Sequence, residues 1–212
     1  MRIYDSLIFD LDGTLWDSTA ACAEGWNRAL HELNVIRKPL SSDDIKPMMG
    51  MANPELFSKV FPEVSETERA KTAERCLHHE LDVIQQAGAP LFPGVGAGIS
   101  QLTLSYPLFI VSNCDEPYLD LFLKATGWLK VFKDWECYGR TQRPKTENIQ
   151  SVVKRNHLKS PAYIGDTLGD ESAARQASVD FFHAAYGFGR AERPLAAFQD
   201  FDQLVLYFSK GL

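Results

Sequence analysis

The chain has 212 residues, 45% of them hydrophobic and 24% charged, with a formal net charge of -6. This size suits one large domain or a core with a smaller insert, and the composition is that of a soluble globule. The acidic balance, with a pI near 5.4, argues against a nucleic-acid polymer as partner, because such binding leans on Lys and Arg. A small anionic substrate stays open, since a metal ion inverts the local field. Cys22, Cys76, Cys114 and Cys137 match no zinc spacing and read as free thiols in a reducing compartment. The amino terminus opens on a strand-like run rather than a basic segment, and no run is long enough to span a bilayer. The expectation is a cytoplasmic protein with no membrane partner.

Residues 3–9 read as a first strand whose compact apolar run is Leu7-Ile8-Phe9. It ends on Asp10-Leu11-Asp12-Gly13-Thr14, two carboxylates one residue apart beside a glycine break. From Thr19 the period lengthens. Ala20, Ala23, Trp26, Leu30 and Leu33 recur at three to four residues, an amphipathic helix that Ser18 or Thr19 could cap. A short helix capped by Ser42 ends before Gly50, another spans Pro54 to Val60, and a long one opens at Ser65 with Glu68 completing a capping box and runs to Gly88. Residues 18–88 show no strand alternation, so they read as an all-helical insert.

Strand and helix alternate from 95 onward. Helices are expected over Val95–Leu104, Glu116–Thr126, Pro144–Asn156, Asp170–Ala177 and Phe201–Phe208. Strands are expected at Leu108–Val111, Ala162–Ile164 and Val179–Phe182, with one broken strand or two short ones over Val131–Tyr138. A helix between consecutive strands is the economical connection in a parallel sheet. The predicted fold is α/β: a three-layer parallel core from residues 1–17 and 89–212, with a helical cap from 18–88 hinged by two crossings.

Three predicted strand ends carry polar groups: Asp10 with Asp12, Ser112 with Asn113, and Asp166 with Asp170. In a parallel sheet all three emerge on one edge, where ligands bind. Close carboxylates repel unless a cation offsets them. An all-oxygen set without nearby Cys or His suits a hard ion, with Mg2+ the natural candidate. Lys145, near a helix start, adds a fixed positive charge, and Ser112 and Asn113 offer donors for phosphoryl oxygens. Together these groups match phosphoryl transfer. Aspartates and serines at strand ends also form turns and caps, but the Gly165-Asp166-Thr167-x-x-Asp170 element beside Asp10-x-Asp12 weighs against that blander role. His78 and His79 read as surface residues, Trp26 as packing among the helices, and Cys114 as a small buried side chain. His183 follows a strand and could approach the site.

These motifs resemble those of the haloacid dehalogenase superfamily of hydrolases across the whole chain, in order: Asp10-Leu11-Asp12-Gly13-Thr14, Ser112-Asn113, Lys145, and Gly165-Asp166-Thr167 with Asp170. The resemblance implies a Rossmann-like core and a set of roles. Asp10 would be the nucleophile that forms an aspartyl-phosphate. Asp12 would be the general acid and base, its backbone carbonyl on magnesium. Asp10 and Asp166 would be carboxylate ligands, with Asp170 holding a metal-bound water or orienting its neighbours. Ser112 and Lys145 would bind phosphoryl oxygens, and Asn113 and the backbone near Leu11 would complete the cradle. Thr14 and Trp16 are further substrate-binding candidates, and Trp26 and the loop from Met48 to Asn53 are candidates for specificity. Arg143-Pro144 precedes Lys145 where many relatives carry Lys-Pro, which keeps Arg140 and Arg143 as alternative cations.

The true dehalogenases lack the acid that this chain keeps as Asp12, which favours phosphatase or phosphomutase chemistry. Trp16-Asp17-Ser18 and Tyr186-Gly187-Phe188-Gly189 resemble the phosphoglycolate phosphatase-like branch with a helical cap. The implied activity is magnesium-dependent hydrolysis of a small phosphorylated metabolite: a phosphoglycolate-like compound, a nucleotide or a sugar phosphate. The rivals are a phosphomutase of the β-phosphoglucomutase type and a catalytically silent, partner-binding relative. Oligomeric state is not readable from the sequence.

Overall fold

The computed structural model describes residues 4–209 apart from Ile36, Glu63, Val64 and Ala89, with backbone alone at Asn53 and Pro54. Ile3, where the first strand is expected to start, lies outside the described residues. So do Ala89, where the second core segment is expected to start, and the last three residues of that segment.

Among the described residues six strands form one sheet: β1 (Ser6–Phe9), β2 (Leu108–Ser112), β3 (Phe132–Cys137), β4 (Pro161–Gly165), β5 (Asp180–Ala184) and β6 (Ala197–Phe198). Their order is β3-β2-β1-β4-β5-β6, and every pairing is parallel. The central strands are near-continuous apolar runs because both faces are covered. Successive side chains point to opposite faces. Leu7 and Phe9 join Leu108, Ile110, Ile164 and Phe182 in one apolar cluster, while Ile8 joins Phe109, Val111, Tyr163 and Phe181 in another. The helices α5 (Val95–Leu102), α6 (Glu116–Thr126) and α10 (Phe201–Ser209) complete the first cluster. The second is completed by α8 (Lys145–Arg155) and α9 (Leu168–Gln176). The result is the α/β layering expected.

Between β1 and α5 the chain is helical: α1 (Thr19–Glu32), α2 (Ser42–Ile45) with a single tight turn at Lys46–Met48, α3 (Asn53–Val60) and α4 (Glu66–Ala87). These helices bury an apolar cluster of their own around Trp26, Leu30, Ile45, Phe57 and Cys76. The Ser65–Glu68 capping box starts α4 as predicted. The cap of α2 is Ser41 rather than Ser42. Ser41 has the extended backbone a cap needs, and Asp44 three residues on closes a reciprocal box with it. Ser18 precedes α1 without capping it through its side chain; Asp17 Oδ1 accepts from the Thr19 N–H at 3.0 Å instead.

Other departures are local. The region 131–138 gives one strand, β3, with a register shift where β2 begins, and Tyr138 opens the four-residue helix α7 (Tyr138–Thr141). Neither α7 nor the two-residue β6 is long enough to show a period. Helix α9 starts at Leu168 rather than Asp170 because Thr167 caps it, with Asp170 at the third helical position.

Gly25 sets the approach of α1 to α4. A Cβ at this position would lie 2.5 Å from the Glu80 backbone nitrogen and 2.6 Å from its Cα. Backbone cannot yield as a flexible side chain does, so Gly25→Ala should lower stability by roughly 1–3 kcal/mol, the usual cost of overpacking. Urea unfolding checks this, through a lower midpoint at unchanged slope.

Candidate active site

Strands β2, β1 and β4 are neighbours and parallel, so Ser112, Asp10 and Asp166 emerge side by side at their carboxyl ends. The sheet order also reverses beside β1, which opens a crevice there. Helix α8 begins at Lys145 and aims its ammonium back into that crevice. Lys145 Nζ lies 2.8 Å from Asp10 Oδ1 and 2.5 Å from Asp170 Oδ1, and all three side chains are buried. The alternatives lie elsewhere: Arg140 pairs with Glu116 at 2.9 Å, and exposed Arg143 approaches Glu147.

Asp10, Asp166 and Asp170 each offer an oxygen within 4.8 Å of the others. The protein occupies some of these oxygens and leaves others bare. Asp170 Oδ2 accepts from the Thr167 hydroxyl at 2.6 Å and its N–H at 3.0 Å, while Oδ1 takes Lys145. Asp166 Oδ2 accepts from the N–H groups of Phe188 at 2.8 Å and Gly189 at 3.1 Å. Asp10 Oδ2 and Asp166 Oδ1 are buried with no partner. Gly13, at φ +80, runs against this acid: a Cβ there would lie 2.3 Å from Asp166 Oδ2.

One lysine does not balance three buried carboxylates. Burial and then Asp170 push Asp10 well above the usual carboxylate range, with Lys145 offsetting part of the rise. Burial and Asp170 likewise raise Asp166 to about 7. Burial also acts on Asp170, but Lys145 and Thr167 outweigh it and hold that acid low. The two orphaned oxygens in an excess of negative charge fit a hard divalent cation. Asp170, with both oxygens engaged, orients Lys145 and Thr167 rather than presenting a bare ligand atom.

The carboxylate of Asp12 stands outside this trio. Its Oδ1 accepts from Tyr118 OH at 2.6 Å, Trp16 Nε1 at 2.8 Å and Ser18 Oγ at 3.0 Å. Burial raises its pKa, and those donors offset part of the rise. An acid that keeps its proton longer, steered by three donors, suits proton transfer. Trp16 and Thr14 are the further substrate-binding candidates. Both are wholly buried. Trp16 packs edge-on against Tyr118 and Phe122 and steers Asp12. The Thr14 carbonyl accepts from Tyr186 OH at 2.8 Å, and its hydroxyl is buried without a partner.

Ser112 and Asn113 line a cavity of about 60 Å3 between Asp12 and the helical insert. Asn113 Nδ2 also donates to the Gly50 carbonyl at 2.8 Å, tying β2 to the loop before α3. A wider cleft of about 780 Å3 adjoins it, lined by Lys145, Thr167 and the same loop. Trp26 packs on Phe57 and also reaches the smaller cavity, as do Met48, Met49 and Met51. Asn53, the last of the predicted specificity residues, has no described side chain. His183 Nε2 lies 3.1 Å from the Asp166 carbonyl and faces no acid of the trio. His79 pairs with Glu32.

Several site residues escaped the sequence reading. Tyr118 carries no local signal, since it meets Asp12 across 106 positions. Thr167 is legible only as the cap three residues before Asp170. Glu80 is an acid on the buried stripe of α4, four residues from both Cys76 and Ile84, and that misplaced charge is a signal in itself.

Comparison with known proteins gives a consistent result. The family model for haloacid dehalogenase-like hydrolases matches residues 7–184. A phosphoglycolate phosphatase of Psychrobacter arcticus is 27% identical over 97% of this chain and 96% of its own. One of Rhodobacter capsulatus is 28% identical over 94% of each. A haloacid dehalogenase-like family hydrolase of Streptococcus pneumoniae superimposes with a TM-score of 0.82 at 22% identity, over 97% of this chain and 98% of that one. That last likeness is one of fold. Among the described residues no helix is long and apolar enough to cross a membrane.

Removing Lys145 should leave Asp10 and Asp170 buried beside each other without their cation. Lys145→Met is expected to cost about 3–5 kcal/mol, the penalty for breaking a buried pair from one side. Chemical denaturation without divalent ions measures it, and a cost below about 1 kcal/mol would show that the ion pair does not hold the site together.

Proposed function

The chain belongs to the haloacid dehalogenase-like hydrolases, and from that premise we propose that it is a magnesium-dependent phosphatase acting on a small phosphomonoester through an aspartyl-phosphate. The observation that carries the reading is the pair of orphaned buried oxygens, Asp10 Oδ2 and Asp166 Oδ1, beside Lys145. Burying unpartnered carboxylate oxygens costs stability unless a cation or a reaction uses them. The phosphoglycolate phosphatases among the relatives support the reaction class.

The carboxylates of Asp10 and Asp166, with the Asp12 backbone carbonyl, would hold magnesium. When bound, the ion supplies the charge that lets an anionic phosphoryl group approach buried acids. The remaining work falls to the chain. Lys145 neutralises Asp10 and the incoming oxygens, and Ser112 and Asn113 orient the phosphoryl group. A carboxylate oxygen of Asp10 attacks phosphorus as the bond to the leaving alcohol breaks, and Asp12 passes a proton to the departing oxygen. Asp12 then takes a proton from water, which attacks the same phosphorus. The bond to Asp10 breaks, inorganic phosphate leaves, and both acids return to their starting state. Residues 18–88 act as the cap that covers this step, and residues 1–17 and 89–212 as the catalytic core. Tethering of the loop before α3 by Asn113 supports that division.

Phosphate release from a panel of phosphorylated metabolites tests the reading. Release should require magnesium and stop with a chelator. It should fall to background in Asp10→Asn and drop by about 10²–10⁴-fold in Asp12→Asn, the range for loss of a general acid. Release unaffected by Asp10→Asn would remove the aspartyl-phosphate from the account.

A further inference from the structure

The leaving alcohol of a phosphatase must lie beside the general acid, so the surroundings of Asp12 decide which alcohol can depart. Asp12 lines the smaller cavity and not the wider cleft. Lys145 and Thr167 line the wider cleft and not the cavity. Met49, Gly50, Met51 and Asn113 line both. A phosphoryl group at that junction sends its ester oxygen, and what the oxygen carries, into the smaller space. The volume there, about 60 Å3, is well below the roughly 150 Å3 of an engineered cavity that takes up benzene. A compact leaving group fits this space without reaching back into the wider cleft.

The lining has an unusual charge for an enzyme whose relatives include phosphoglycolate phosphatases. Asp12, Glu80 and Asp115 line the cavity, and among the described residues no Lys, Arg or His does. The cations nearby, Lys46 and Arg190, line the wider cleft instead, and Lys46 is held by Asp43 at 2.8 Å. Most of the remaining wall is apolar, with Trp26, Met48, Phe57 and Leu77. Glu80 is only 7% exposed and fixed from both sides. Cys22 Sγ lies 2.9 Å from its Oε1, and Trp26 Nε1 donates to Oε2 at 2.9 Å. Each carboxylate oxygen can accept a second hydrogen bond. Burial raises Glu80 to about 7, and Asp12 and Asp115 push the same way. Glu80, ionised at about pH 8, repels another anion brought into this space, whereas a hydroxyl or ammonium finds an acceptor already in place.

Building on the phosphatase reading, we infer that Glu80 selects the leaving group: the substrate is the phosphomonoester of a compact alcohol whose far end carries a hydrogen-bond donor, hydroxyl or ammonium, and neither a carboxylate nor a second phosphate. Glu80 is then a specificity residue on α4, held in place by the close approach of α1 at Gly25.

Three phosphomonoesters differ only at the end that would meet Glu80: 2-phosphoglycolate, 2-hydroxyethyl phosphate and O-phosphoethanolamine. Steady-state phosphate release is measured for each with magnesium at about pH 8, beside acetyl phosphate, whose good leaving group needs no general acid. The hydroxyl and ammonium esters should exceed 2-phosphoglycolate in kcat/KM by at least about tenfold, or ~1.4 kcal/mol. In Glu80→Gln that ratio should shrink toward one. Glu80→Met, apolar and of similar length, gives the same reading should the amide variant not fold. Equal rates, a preference for 2-phosphoglycolate, cleavage of acetyl phosphate alone, or a ratio unchanged in a folded Glu80 variant would each overturn the assignment while leaving the phosphatase intact. Failure to cleave any of the four compounds would bring down both.

Discussion

The contact on which the site depends is the buried ammonium of Lys145 between Asp10 and Asp170. Three carboxylates converge at the ends of parallel strands, and none can reach bulk water. A single lysine offsets part of their charge, and the rest of the local structure manages what remains. Thr167 takes one oxygen of Asp170, the Phe188 and Gly189 N–H groups take one oxygen of Asp166, and Gly13 supplies the room in which Asp166 sits. What is left over is one bare oxygen on Asp10 and one on Asp166, the pair on which the proposed magnesium site rests.

A different logic governs Asp12. It lies two residues from Asp10 yet has a separate environment, because Tyr118, Trp16 and Ser18 draw its carboxylate away from the trio. Two acids on one short loop thus have different surroundings, one beside the lysine and the other among neutral donors. Environments that separate neighbouring acids are what the proposed mechanism needs for Asp10 to attack while Asp12 moves a proton. Glu80 extends the pattern into the helical insert. It is a further buried acid, held by an indole and a thiol, and it lines the space next to Asp12.

Much of this was legible in the chain. The α/β core followed from apolar runs that end on polar residues, and Asp10, Ser112, Lys145 and Asp166 meet where a parallel sheet requires. Helix boundaries were clear where caps announce them, as at Ser65, and shifted where two serines compete, as at Ser41 and Ser42. Trp16 is a substrate-binding candidate in the sequence, and its surroundings are tertiary. Only the fold shows that it packs against Tyr118 and Phe122 rather than facing the cleft. Tyr118 and the Phe188–Gly189 backbone were invisible for a related reason: each reaches its acid across the tertiary structure, and sequence spacing carries no trace of such contacts. The family resemblance supplied roles for the motif residues but said nothing of Glu80, which lies outside every motif.

On the proposed reading the acid trio is balanced only when a divalent cation joins Lys145. The most direct measurement is the thermal or urea midpoint of the wild type and of Asp166→Asn, each titrated with magnesium. Magnesium should stabilise the wild type saturably, by about 2.7 kcal/mol at a hundred times the dissociation constant. No such gain is expected in Asp166→Asn, which should start out more stable than the metal-free wild type because one of the repelling carboxylates is gone. A wild type whose midpoint does not move with magnesium, or an Asp166→Asn that gains as much as the wild type, would contradict that reading.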